Sequence, residues 1–234
     1  MSTFNMNKQP LKGFSTIPQI LSDLRRGRLV VIVDDPGREN EGDLIVAAQH
    51  ATPANINFMT KHGRGIICVP MEGPRLSRLG IDPMVWRPQD PMKTAWTVSI
   101  DAREGITTGV SAYDRARTIR TLIDPKTTGE DLVRPGHLFP LAAKEGGTLV
   151  RAGHTEACVD LMKLAGLYPA GVICEIMHED GSMARVPDLL KYARRWHLKM
   201  ATIRDLIEYR RKKEKLVSKT VETRLMNRYG SFRL

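Results

Sequence analysis

Apolar positions along the chain follow two periods, and the switches between them lay out the elements. Ile17 to Arg28 repeats at helical spacing and leads into the unbroken apolar run Leu29-Val30-Val31-Ile32-Val33, the first strand. Leu44 to Ala48 reads as a second strand. Thr52-Pro53 starts a helix, with Thr52 as N-cap and proline at the first helical position; it runs to about His62 and is followed by a strand from Gly65 to Val69. Trp96 to Asp101 alternates as a half-buried strand does. Ser111 to Asp114 is a capping box for a helix ending near Ile123. Farther on, Arg134-Pro135-Gly136-His137 predicts a loop and Thr148 to Val150 a strand. Thr155 to Ala165 predicts a helix closed by Gly166, Val172 to Met177 a strand, and Pro187 to Trp196 a helix. Thr202 to Asp205 opens a last helix that runs into a basic tail, and residues 1 to 15 are polar and expected to be mobile. Helices and strands intermingle without a repeating βαβ unit. The expected architecture is therefore α+β, three-layered, with a mixed twisted sheet and helices on both faces, and residues 1–210 form one domain.

Composition supports that picture and narrows the partners. A chain of 234 residues with 41% apolar content can bury a substantial core. No apolar stretch approaches the roughly 20 residues of a membrane span, and the N-terminus lacks the basic-then-apolar order of a signal peptide. Cys68, Cys158 and Cys174 are few, widely spaced and set in apolar surroundings, as reduced core cysteines are; a cytoplasmic location is expected. The net charge of +10 invites a nucleic-acid reading, but residues 210–234 hold nine Lys/Arg against two Glu, leaving only +3 for the rest. A charged tail on a nearly balanced body is a poor footprint for nucleic-acid binding.

The candidate chemistry is concentrated in a few segments. Asp34, Asp35, Glu39, Glu41 and Asp43 fall within ten residues after the first strand. A solvated turn also favours such residues, yet five carboxylates held together repel one another unless a cation neutralises them, which points to a hard divalent metal with Arg38 available to an anion. Arg151-Ala152-Gly153-His154-Thr155-Glu156 stands at a helix start, where free N–H groups attract an anion. Arg151 and the Thr155 hydroxyl complete a phosphate cradle there, and His154 at its entrance can ligate a metal. Glu175 shares a strand face with Ile173 and Met177, a placement suited to proton transfer. His137 sits in a loop fixed by proline and glycine, and Gly105 to Ser111 offers hydroxyls and amides at another helix start. No Cys-His metal spacing, serine elbow, Walker loop or dinucleotide fingerprint competes.

These segments, Asp34-Asp35, Arg38 to Asp43, Gly105 to Ser111, Arg134 to Pro140, Arg151 to Glu156 and Gly171 to Glu175, closely resemble the 3,4-dihydroxy-2-butanone-4-phosphate synthases of riboflavin biosynthesis, in order from about Ile17 to Arg210. The resemblance implies a lyase that converts D-ribulose 5-phosphate to L-3,4-dihydroxy-2-butanone 4-phosphate and formate. It implies magnesium or manganese, two ions per site, and a homodimer. It makes Glu39 and His154 metal ligands. By the same resemblance Arg38, Glu39, Asp43, Thr108, Arg151, Ala152, Gly153, His154, Thr155 and Glu175 would contact substrate, and His137 and Glu175 would be catalytic. Pro36-Gly37 and the segment Trp86 to Thr94 depart from the family pattern. Residues 211–234 resemble the opening of a GTP cyclohydrolase domain, which suggests the N-terminal part of a bifunctional protein. Another metal-dependent sugar-phosphate isomerase or aldolase is the alternative reading of the pocket.

Overall fold

A computed structural model describes residues 12–214 and 221–233. The expected mobility of the N-terminus falls outside the described residues as far as residue 11, and so do 215–220 and 234 of the basic tail. From Ser15 the chain is held: its N–H donates to the Met200 carbonyl at 2.7 Å.

Seven strands form one mixed sheet. They are β1 (Val30–Val33), β2 (Gly42–Ala47), β3 (Cys68–Glu72), β4 (Ile100–Ala102), β5 (Leu132–Ala143), β6 (Gly171–Glu175) and β7 (Lys199–Thr202), in the spatial order β4-β5-β3-β6-β2-β1-β7. β1 with β7 and β3 with β5 are parallel, and the other pairs are antiparallel. The helices are α1 (Ile17–Arg25), α2 (Pro53–Phe58), α3 (Gly73–Arg78), α4 (Ala112–Ile123), α5 (His154–Ala165), α6 (Val186–Arg195) and α7 (Ile203–Lys213).

Alternation along the strands divides the core in two. Val31, Val33, Leu44, Val46, Val172 and Cys174 pack with α2, α3, α4 and α6 on one face. Val30, Ile32, Ile45, Ala47 and Ile173 pack with α1, α5 and α7 on the other. Because both faces are covered, β1 and β2 read as unbroken apolar runs rather than alternating ones. The three-layer α+β expectation holds.

Three local expectations need correction. Residues 134–137, expected as a loop, lie within the twelve-residue β5, where Pro135, Gly136 and Pro140 mask the alternation. Opposite them the ladder shifts register, with Ile100 facing Leu138 but Asp101 facing Val133. Thr148 to Val150, expected as a strand, contributes to a 3-10 turn over Gly147–Leu149. Thr148 donates to the buried Asp160 carboxylate from its N–H at 2.7 Å and its hydroxyl at 2.6 Å, which curls the chain. The helix begun by Thr52, whose hydroxyl accepts the Asn55 N–H at 3.2 Å, widens after Phe58 into a π turn, Met59–Gly63, and Arg64 ends it in the left-handed region at φ 74°. α3 and β7 were not anticipated; both are short.

The basic tail begins inside α7. Arg210 reaches the Asp160 carboxylate at 2.7 Å and the Gly146 carbonyl at 2.9 Å, tying that helix to α5 and the 3-10 turn. Beyond the helix, β8 (Arg224–Asn227) and β9 (Gly230–Arg233) form a two-stranded hairpin exposed along its whole length.

Ile20 is fully buried in α1, which packs on α5. Replacing it with alanine should cost about 2–5 kcal/mol. Urea denaturation should show a lower midpoint at unchanged slope, and an unmoved midpoint would contradict this packing.

Candidate active site and metal centre

The acidic loop is built around one buried carboxylate. Between β1 and β2 the chain reverses, and Asp34 accepts hydrogen bonds from the Glu39 N–H at 3.0 Å, the Glu41 N–H at 2.8 Å and the Arg38 guanidinium at 3.0 Å. Asp35 accepts the Gly37 N–H at 2.8 Å, closing the turn at Pro36-Gly37. From the other side Arg185, at the N-terminus of α6, donates to the carbonyls of Glu39 at 2.7 Å and Asn40 at 2.5 Å. These two clamps fix where the Glu39 side chain points. Arg38 then pairs with it at 2.7 Å.

The loop meets the start of α5. His154 is the first residue of that helix, with Gly153 as its N-cap. Its Nδ1 lies 3.5 Å from Glu39 Oε2 and 3.9 Å from Asp43 Oδ1, longer than ordinary hydrogen bonds. Asp34, Glu39 and His154 each present a ligand atom, all within 4.8 Å of one another. Two further atoms, His154 Nε2 and Asp43 Oδ1, are buried without any hydrogen-bond partner. Such orphaned groups are costly, and a divalent cation on the side where His154 turns Nδ1 toward Glu39 and Asp43 is the kind of ligand that relieves Asp43 Oδ1. Carboxylate oxygens with one imidazole suit a hard or borderline ion such as magnesium or manganese, so the residues present fit the metal.

Electrostatics follows from burial and crowding. Burial pushes the Asp43 carboxyl up to about 8, with repulsion from Glu175, Glu39 and Glu41 adding to it. Burial opposes charging of His154, yet the negative charge of Asp43, the contact with Glu39 and the charge of Asp34 outweigh it and raise the imidazole to about 9. Contact with His154 is the largest influence on Glu39 and lowers its pKa, whereas burial raises that of Glu41.

The sheet register brings in the remaining candidates. Asp43 stands directly opposite Glu175 on the β2–β6 ladder, on the same face as Ile173. Glu175 therefore looks onto another acid rather than onto purely apolar neighbours, and it accepts the Ile66 N–H at 2.8 Å. Cys68 is paired with Ile173 on one side and Phe139 on the other, so His137, two residues before Phe139, lies near the same row as Glu175. Two strand spacings, roughly 10 Å, separate their backbones. His137 Nδ1 is 2.6 Å from Asp101 Oδ2, and its N–H donates to Oδ1 of the same carboxylate at 3.1 Å. An acidic partner at Nδ1 fixes that nitrogen as N–H and leaves Nε2 on the half-exposed outer side.

Thr108 is exposed on the loop before α4. There Asp114 accepts from Thr107 N–H, Thr107 hydroxyl and Gly109 N–H at 3.1, 2.7 and 3.1 Å. Gly109 presses so closely on Asp101 and His137 that a Cβ would lie 2.1 Å from the carboxylate and 2.5 Å from the ring, which sets Thr108 beside His137. Ala152 is exposed, and Gly153 and Thr155 are buried at the α5 N-terminus. Arg151 is tied down: it binds Glu156 at 2.5 Å, the Thr94 hydroxyl at 2.9 Å and the Met92 carbonyl at 3.1 Å. The segment that departs from the family pattern thus positions this arginine.

A model of the 3,4-dihydroxy-2-butanone 4-phosphate synthase family matches residues 18–209. The chain belongs to this family. Relatives of the chain include riboflavin biosynthesis protein RibBA from Endomicrobium trichonymphae, 55% identical over 223 residues that cover 95% of this chain and 55% of that protein. RibBA from Aquifex aeolicus is 54% identical, covering 94% and 55%. The chain spans about half the length of these curated relatives. Among solved synthases, RibBX from A. baumannii, described as a two-domain 3,4-dihydroxy-2-butanone 4-phosphate synthase, superposes with a TM-score of 0.86 at 45% identity, covering 94% of this chain and 65% of that one. A synthase in complex with two magnesium ions superposes at 0.83 with 42% identity, covering 87% and 100%.

Asp101, Arg185 and the Ile66 N–H were not anticipated from sequence. Each acts across a distance in the chain that no local pattern marks.

The raised values of Asp43 and His154 make the metal-free folded chain hold protons that the unfolded chain releases, between 3.8 and about 8 for the acid and between 6.5 and about 9 for the imidazole. The stability they contribute is complete below the unfolded values and is lost as pH rises through the folded ones. Adding manganese at pH 7 should therefore expel protons, seen as a dependence of calorimetric heat on buffer ionisation enthalpy. His154→Ala should weaken binding and diminish the release; buffer-independent heats in the unaltered protein would contradict the site.

Proposed function

We propose that the chain converts D-ribulose 5-phosphate to L-3,4-dihydroxy-2-butanone 4-phosphate and formate, with magnesium or manganese at two ions per site. Membership of the synthase family supports this reading. The observation that carries it is the convergence of Asp34, Glu39 and His154 beside Asp43 and Glu175. Glu39 and His154 would hold the ion, with Asp34 ordering the loop beneath them. When bound, the ion supplies Lewis-acid polarisation of neighbouring sugar oxygens.

The protein's own groups supply the rest. The free N–H groups at the start of α5 receive the phosphate, and Arg38, partly exposed beside Glu39, is placed to join them. Asp43 and Glu175 face each other across a ladder and can pass protons to and from the sugar carbons and hydroxyls. His137, held in one tautomer by Asp101, offers Nε2 for a second transfer. Substrate equals the sum of the two products, so neither oxidant nor reductant is required.

Exposed apolar side chains flank the site segments: Ile66 is 49% accessible, Val110 56%, Tyr113 74% and Val150 64%. Such a rim supports a homodimer that closes over the site. A cytoplasmic location is in keeping with three buried free cysteines. No described helix is long and apolar enough to cross a membrane. We read residues 1–210 as the synthase domain and residues 211–234 as a basic tail that resembles the opening of a GTP cyclohydrolase domain.

Ribulose 5-phosphate with magnesium should yield formate in equal amount to the four-carbon phosphate, and EDTA should abolish both. Turnover without formate would instead favour a sugar-phosphate isomerase or aldolase. Asp101→Asn should fold normally but lower kcat on the order of a hundredfold, because an amide can stabilise the wrong imidazole tautomer. An unaltered kcat would remove His137 from the chemistry.

A further inference from the structure

On the sheet face opposite His154, the π turn Met59–Gly63 and helix α6 enclose a cavity of about 530 Å³. It lies against Ile176 and Met177, immediately beyond Glu175, and is separate from the acidic site. Its volume falls within the range of small-molecule pockets.

The lining combines a ring surface with uncompensated positive charge. His62 and Trp196 rings lie 4.3 Å apart between centroids, and Phe58 braces both from behind at 4.8 and 5.1 Å. Arg64 is paired with Glu179 at 3.2 Å, and Lys191 with Asp188 at 3.6 Å. Among the described residues Lys61 and Arg195 have no acidic partner, and Arg195 lies over the Trp196 ring at 5.3 Å. The hydroxyl of Tyr192, another lining residue, is buried with no hydrogen-bond partner. Burial, then the charges of Lys61, Arg64 and Arg195, lower the pKa of His62, as expected where the local field is positive.

A metal would be repelled by this lining, and a purely apolar ligand would leave the cations and the Tyr192 hydroxyl unmet. We propose that the cavity is a second ligand site, for a planar heteroaromatic ring bearing a phosphate, with the ring against His62 and Trp196 and the phosphate between Lys61 and Arg195. Ring stacking and charge-assisted hydrogen bonds together supply the affinity.

Calorimetric titration of the full chain with adenosine monophosphate, flavin mononucleotide and inorganic phosphate tests the site. The two ring-bearing phosphates distinguish a general nucleotide from a flavin. At least one should bind saturably, and phosphate alone should bind about tenfold more weakly or worse, a difference of roughly 1.4 kcal/mol. Lys61→Glu and Arg195→Glu should each weaken that binding by about tenfold or more while formate production without the ligand is unchanged. Saturating ribulose 5-phosphate should not displace it. No saturable binding of either ring compound up to about 1 mM would overturn the proposal. So would equal affinity for phosphate alone, unaltered affinity in both variants, or competition by ribulose 5-phosphate.

Discussion

Asp34, Glu39, Glu41, Asp43 and Glu175 are gathered where β1 ends, β2 begins and β6 ends, and their mutual repulsion dictates what must surround them. In an aqueous loop such charges would spread apart. Here the ladder between β2 and β6 locks Asp43 opposite Glu175, and Asp34 is pinned by two backbone N–H groups, so spreading is prevented. Compensation is local: Arg38 against Asp34 and Glu39, Arg185 over the loop carbonyls, and His154 drawn toward its charged form. These cations do not complete the balance, because Asp43 Oδ1 and His154 Nε2 remain buried and unpaired. An assembly held together in this state gains from the arrival of a divalent cation.

Much of this was legible in the chain because the controlling signals were local. The unbroken run Leu29 to Val33 and the capping residues Thr52, Ser111 and Thr202 marked their elements directly. The acidic loop announced itself by composition. What could not be read was whatever depends on pairing over distance. β5 was hidden because prolines and a glycine interrupt its alternation at a register shift set by β4. The curl at Thr148 depends on Asp160 twelve residues on. Asp101, 36 residues from His137, became visible only when β4 and β5 aligned. Glu175 was placed on the right strand, but its opposition to Asp43 is a matter of register between segments about 130 residues apart.

Arg151 illustrates the same limit in a different way. At a helix start, beside a threonine and free amides, it has the features of an anion ligand. The fold also gives it a buried carboxylate, Glu156, and polar groups of the segment around Thr94 as partners. A guanidinium has five donors in a fixed fork, so these bonds orient it and leave further donors to offer. Its field reaches the α5 N-terminus from a fixed position, and the ordering cost is met on folding rather than on binding.

A net charge of only +3 over residues 1–209 conceals a strong separation of sign. Acids dominate the strand ends below α5, whereas near α6, on the opposite side of the sheet, Lys61, Arg64, Lys191 and Arg195 outnumber the acids Glu179 and Asp188. β6 and the segment around Arg64 run between the two regions: the Arg64 guanidinium donates to the Met177 carbonyl at 3.0 Å, and two residues later the Ile66 N–H holds Glu175. Gly65 allows the close approach between them, since a Cβ there would lie 2.3 Å from Glu175 Oε2. The acid that faces Asp43 is therefore positioned by a backbone segment whose other end lines a cationic cavity. Arg64, Gly65 and Ile66 thus form one short segment that lines the cavity at one end and fixes the Glu175 carboxylate at the other, with close-packed backbone between.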